Sequence, residues 1–410
     1  MAKHHITLAI AIVLAVIFYI ITIVLSALAA LGKHPFLSTT ANISDEFVTQ
    51  ITPSGWTFTI WSIIYIFMGL GVLYVFAGIF RKNAYGYVYC SPAVLPHGFF
   101  VTFCLNLGIN IGWLLLWDRK YTPAALAFLI LIALTNYAVI FFSCYGLHNY
   151  GAWLNKYHKT DLLLHHLLIQ NGIAIYATWT TIASLLNLTI VLTYDASMSH
   201  TDGATLALSV LSVVLIAWFI LENSILEKYV RFILSIYPTV IWALTGVFTE
   251  NYNTAAPTRN NIFIAALLGV ACALCATRIC LVIWRQMKKP LYEDVNPDKM
   301  SPMEILEKQK KIFKFVLENL VLDKHVRYIC ITYPVVIWAL SGNLDKNYDA
   351  ESPSRNGVFI TVLLAAACVL FVIRVSLVVW RHIKQPLYEG VDPEAMEPME
   401  IAKKQKKIFR

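Results

Sequence analysis

The chain has 410 residues, 58% of them hydrophobic and only 14% charged, with a mean hydropathy of +0.64. A soluble protein of this length needs roughly a quarter of its residues charged, so the composition excludes a water-soluble globule. The formal charge of +8 is gathered in a few loops, which bears on membrane orientation rather than on nucleic acid.

Crossing a bilayer as a helix takes about 20 apolar residues. Runs of that kind, or slightly shorter, uncharged except for Arg278 and Arg374, occupy 6–31, 56–80, 95–117, 122–147, 167–194, 204–221, 232–249, 261–284, 328–344 and 357–380. They predict an all-α polytopic membrane bundle of about ten transmembrane helices. The first run follows Met1 almost at once and is too long for the core of a cleaved leader, so it reads as a retained helix.

The second run opens unusually, with TPSGWTFTIWSIIYIFMG over 52–69. Trp56 suits an interfacial anchor, whereas Trp61 and Tyr65 stand four apart and share one helix face. In the third run Asn110 and Trp113 are three apart, and Trp117 near its end reads as another interfacial ring. In the fifth, Trp179, Ala183, Leu186 and Asn187 recur at helical spacing. A buried Asn needs a partner, so these three faces are expected to turn inward together. A ligand cavity and plain aromatic helix packing both satisfy that pattern.

His165 and His166 lie at the entrance of the fifth run. Being adjacent, they point to different sides; one could ligate a haem iron, and a satisfied interfacial pair is the plainer reading. Asp and Glu fall in the loops between runs, which counts against an ion-coupled transporter. The runs 232–249 and 328–344 are short and contain Tyr237-Pro238 and Tyr333-Pro334, where a kink is expected. Cys272 and Cys275 have CxxC spacing without a second pair nearby, so small-residue packing outweighs a metal site. Arg278 lies inside the next helix, where snorkelling to headgroups explains it, or a polar role in a substrate path.

A tandem repeat organises the second half. LEKYVRFILSIYPTVIWALTG from Leu226 returns as LDKHVRYICITYPVVIWALSG from Leu322, and Arg278 recurs as Arg374. The expected divisions are therefore 1–195, a further helix over 196–225, and two repeat copies at 226–321 and 322–410. Each copy is a helix pair with a basic tail; the first tail, from Ser301, has capping-box spacing and an apolar stripe suited to anionic lipid headgroups. Basic loops cluster on one side, which predicts both termini in the cytoplasm. Asn42-Ile-Ser44 then falls outside, as a glycosylation sequon.

The segments TPSGWTFTIWSIIYIFMG, GINIGW (108–113) and YATWTTIASLLNLTI (176–190) resemble, in order, three helix signatures of the translocator protein or tryptophan-rich sensory protein family. The resemblance covers roughly 1–195 and implies a five-helix bundle binding tetrapyrroles such as haem or protoporphyrin, and in animals cholesterol and benzodiazepine-type drugs. It implies a pocket at Trp61, Asn110, Trp113, Trp179, Ala183, Leu186 and Asn187, with Tyr65 on the same face as Trp61 and residues 33–55 as a covering loop. The sequence departs from the family in having Pro53 alone, in one residue fewer between its two Trp positions, and in LTYDASMSH, which lacks the basic residue of a sterol motif.

The expected activity is binding of a flat hydrophobic ligand for sensing, storage or delivery, with no required cofactor, no metal, no catalytic set and no nucleic acid. Membrane lipids and a homodimer partner are the other expected associations. The alternative is a transporter not coupled to ions, with Arg278 and Arg374 along its path. The host membrane is expected to be an endomembrane or the plasma membrane, with the mitochondrial outer membrane as the other choice.

Overall fold

A computed structural model describes residues 4–83, 86–252 and 257–292. The runs at 328–344 and 357–380, Arg374, the stripe from Ser301 and the second repeat copy lie outside the described residues.

Every one of the first eight runs is a helix, and together they make an integral membrane bundle. In chain order these are α1 (Ile6–Ala30), a short α2 (Thr40–Glu46), α3 (Gly55–Ala77) and α4 (His97–Asp118). They continue as α5 (Thr122–Tyr157), α6 (Lys159–Asp195), α7 (His200–Asn223), α8 (Ile236–Asn251) and α9 (Arg259–Lys288). A two-residue hairpin, Lys82–Asn83 with Gly86–Tyr87, joins α3 to α4. Seven of the helices are long and apolar enough to cross a membrane.

Besides the short α2, the exception is α8, with 16 residues. At 1.5 Å per residue that is only about 24 Å. The expected kink at Pro238 is not there. The helix begins at Ile236, so Pro238 sits in the first turn, where its missing N–H removes no intrahelical bond.

Burial follows the helical faces. In α3 the hidden residues are Ile60, Ile64, Tyr65, Met68 and Gly71, one stripe at 3–4 spacing. Gly69 is a close-packing point, because a Cβ there would overlap the hydroxyl of Tyr19 on α1, which donates to the Tyr65 carbonyl at 2.8 Å. Central in the bundle is α6, packed by α3, α5, α7 and α8, which accounts for its near-continuous buried sequence from Gly172 to Ala177.

The helices after residue 195 are fastened to the first five by polar groups. Asn171 lies at the end of a π-helical stretch, His165–Asn171, and its Oδ1 accepts from Leu234 N at 2.8 Å and Ser235 N at 3.1 Å. Its Nδ2 donates to the Phe232 carbonyl at 2.8 Å. Trp242 on α8 donates to the Thr57 carbonyl at 3.0 Å, and Ser54 N donates to the Gly246 carbonyl at 3.1 Å. Tyr292, beyond α9, reaches back to His166 Nε2 at 3.2 Å. Burial pushes the Tyr292 phenol well above the usual tyrosine range, so it keeps its proton.

Two expectations about charge are corrected here. Carboxylates are not confined to the loops: Glu222 near the end of α7 is fully buried, and Asp118 and Asp161 are buried at helix ends. The run 204–221 stops one residue short of Glu222, which is why the linear pattern misplaces it. Arg278 does not snorkel either. Only 1% exposed, it lies within 3.5 Å of Glu222 Oε2 and donates to Asn223 Oδ1 at 2.9 Å and to the Val230 carbonyl at 3.0 Å.

Candidate functional site

Three helices bring their aromatic stripes together. The Trp61 ring of α3 stacks on Trp113 of α4, with centroids 5.5 Å apart and planes 22° from parallel. Tyr65, one turn on, lies nearly parallel to Trp61 at 5.8 Å. From α6, Trp179 and Tyr176 meet Trp61 edge-on at 6.3 and 6.0 Å. Offset stacks and edge contacts are the favoured aromatic arrangements, so each ring fixes the next.

Two chambers lie against this cluster. The larger, about 400 Å³, is bounded by α1, α3, α4 and the covering loop, with Trp61, Tyr65 and Trp113 in its wall. That size is within the range of small-molecule sites. Its lining also includes the exposed residues Ala27, Ala30 and Ser62. The smaller chamber, about 50 Å³, lies toward α6 and is lined by Trp61, Trp113, Trp179, Ala183, Leu186 and Asn187. Trp61 and Trp113 face both.

Each residue expected at the pocket can now be placed. Trp61 and Trp113 are shared by the chambers, Tyr65 belongs to the larger, and Trp179, Ala183, Leu186 and Asn187 belong to the smaller. Asn110 lines neither, but its Nδ2 donates to the Tyr65 hydroxyl at 3.1 Å. Ser26 of α1 donates to the same hydroxyl at 2.7 Å. The contribution of α1 was invisible in the sequence, because Tyr19 and Ser26 sit in a featureless apolar run. Trp117 corrects its expected interfacial role: it is buried, stacks beside Trp113 at 6.2 Å, and donates to the Thr40 carbonyl at 3.2 Å. Trp56, by contrast, is 42% exposed and meets Trp242 edge-on at 5.0 Å.

The cluster is poor in satisfied polar atoms. Asn110 Oδ1, Trp113 Nε1, Tyr176 Oη, Trp179 Nε1 and Asn187 Oδ1 are all buried without a hydrogen-bond partner. Each such atom costs about 1–3 kcal/mol, and native cores hold few of them. Five such atoms lie around this one set of rings.

The covering loop closes the chambers from one end. Asp118, at the end of α4, accepts from Leu37 N at 2.8 Å and Ser38 N at 3.1 Å, tying the loop's start to the bundle. Lys120 pairs with Glu46 of α2 at 2.6 Å, although both side chains are about half exposed and the pair contributes little. Asp118→Ala removes two charge-assisted bonds, each worth about 1.5–3 kcal/mol. The variant is expected to be cut by trypsin at Lys33 at least several-fold faster than the wild type, and equal rates would show that the loop is held elsewhere. Asn42 is exposed on α2 within this loop, open to modification.

No group of three or more His, Cys, Asp or Glu among the described residues is placed to hold a metal, and Cys272 and Cys275 are free thiols. His165 is buried against the Tyr74 ring at 5.4 Å with its Nδ1 unpartnered, while His166 bonds Gln170 at 2.7 Å. Arg278 is committed to its carboxylate and carbonyl partners, so it does not line an open path.

A protein-family model described as TSPO-like protein matches residues 11–279, well over half the chain. The match continues past the three motifs and through α7, α8 and most of α9. No curated protein and no solved structure matches the chain.

Proposed function

The chain belongs to the TSPO-like protein family, and from that membership we propose that its aromatic cage binds a flat hydrophobic ligand, foremost a tetrapyrrole such as haem or protoporphyrin. Binding would serve sensing, storage or delivery rather than turnover. The observation that carries this reading is the Trp61–Trp113 stack, which stands in the wall of a chamber of about 400 Å³. A conjugated macrocycle gains most where it can lie against such faces and leave water. Ala183, opposite, leaves room where a larger side chain would fill the smaller chamber.

Protoporphyrin added to the purified protein is expected to quench tryptophan emission saturably. Trp61→Ala with Trp179→Ala should weaken that binding at least tenfold. Unchanged saturable binding in the double variant would overturn the proposal.

A further inference from the structure

We propose, independently of what the cage binds, that Asn42 carries an N-linked oligosaccharide, which puts the covering loop on the lumenal or exterior side of the membrane and the chain in the secretory pathway.

The acceptor pattern Asn-X-Ser/Thr, with X other than Pro, occurs twice in the chain, at Asn42 and at Asn187. The fold separates the two. Asn187 is 3% exposed and Thr189 is fully buried, both within α6 among packed helices, so a sugar has no place there. Asn42 is exposed on the outer face of α2 beside Asp45 and Glu46, whereas Ile43 and Ser44 turn inward and are buried. That inward face seats α2, and the Thr39 hydroxyl caps it by accepting from Asn42 N at 3.1 Å. Neither contact uses the Asn42 side chain, so its amide is placed to carry a bulky polar group without unseating the helix. Thr40 and Ala41 stand in the wall of the larger chamber and Ser44 in that of the smaller. The glycan would therefore lie on the outside of the element that roofs both chambers.

Charge sets which side of the membrane that is. The loop meets the bundle at one end only: Tyr194 at the end of α6 donates to the Val48 carbonyl at 2.9 Å, Asn251 at the end of α8 to the Thr52 carbonyl at 2.8 Å, and Gln50 to Thr201 at the start of α7 at 2.9 Å. Among the described cations at this end, Arg119, Lys120 and Arg259 are each paired, with Asp118, Glu46 and Asp202. The opposite end carries Arg81, Lys82, Lys156, Lys159, Lys228 and Lys288. Excess Lys and Arg mark the cytoplasmic side, so α2 lies away from it. Asn42 also stands roughly midway between Ala30 and Gly55, where α1 ends and α3 begins, as far from the bilayer as the loop allows.

The donor is a polyprenyl-pyrophosphate oligosaccharide, presented with its transferase on the lumenal face. Asn42 Nδ2 bonds to C1 of the first sugar as the bond from C1 to the pyrophosphate oxygen breaks. The pyrophosphate leaves with that electron pair, and the amide gives up one proton. Ser44, the hydroxyl residue of the acceptor pattern, is buried once α2 is seated, so transfer precedes the closing of the loop.

The test compares full-length protein from cultured eukaryotic cells on a denaturing gel, before and after peptide-N-glycosidase. The wild type is expected to fall by one discrete step on treatment. Asn42→Gln and Ser44→Ala should each abolish the step, Ser44→Thr should retain it because the acceptor hydroxyl is kept, and Asn187→Gln should leave it unchanged. The gel reads denatured chains, so a variant that folds poorly still reports. Wild-type mobility unmoved by the glycosidase overturns the inference, as does a step that survives Asn42→Gln or is lost in Asn187→Gln.

Discussion

Arg278→Met should lower the thermal midpoint of the detergent-purified protein by on the order of 10 °C, followed by loss of the monodisperse peak after heating. The reason is the company Arg278 keeps. Glu222 is fully buried and receives hydrogen bonds from Trp218 Nε1 at 3.1 Å and from the Tyr237 hydroxyl. Arg278 supplies the positive charge beside it and also ties down the Glu222 and Val230 carbonyls at 3.3 and 3.0 Å. Removing one partner of a buried ion pair leaves the other uncompensated, at a cost of about 3–5 kcal/mol. Replacing both charges leaves no such debt, so Arg278→Met combined with Glu222→Gln should recover part of the loss. A midpoint unchanged in the single variant would return Arg278 to a headgroup-snorkelling role. The network joins α7, α8 and α9, so its loss should loosen the added helices before the five-helix part.

What was legible in the sequence was whatever leaves a trace within one helix. The uncharged runs report spans, and the spacing of Trp61 with Tyr65, or of Trp179 with Ala183 and Asn187, reports a shared face. Motif order added which faces converge. The pairing between helices was not legible. Ser26 reads as one polar atom in an apolar run, yet it completes the Tyr65 hydroxyl with Asn110. Trp117 stands where interfacial rings usually stand, and only its neighbours Trp113 and Thr40 show it to be part of the cage. Glu222 and Arg278 are 56 residues apart and are assigned by linear pattern to a loop and to a headgroup. Each charge looks expendable until the other is seen. The aromatic motifs end before residue 195, whereas the family match runs to residue 279, across helices whose residues carry none of those motifs.

That packing gives the last prediction, which couples the added helices to the cage. Gly246 on α8 lies against Thr57 so closely that a Cβ would overlap the Thr57 hydroxyl and come within 2.8 Å of its methyl. Thr57 is fully buried in the 3₁₀ turn that opens α3, next to Phe58 of the chamber wall and four residues before Trp61. The turn cannot yield freely. Trp242 holds the Thr57 carbonyl, and Ser54 holds the Gly246 carbonyl from the other side. Overpacking of this kind costs about 1–3 kcal/mol. Gly246→Ala is therefore expected both to lower stability and to shift Phe58 and Trp61, weakening porphyrin quenching several-fold from a residue that touches neither chamber. Thr57→Ala removes the hydroxyl and methyl that collide and leaves only its own Cβ at 2.9 Å, so the double variant should regain part of the lost binding, a coupling that independent sites would not produce. Wild-type affinity in Gly246→Ala would mean that the cage stands without its buttress. Loss that Thr57→Ala fails to relieve would place the damage in α8 rather than at its contact with α3.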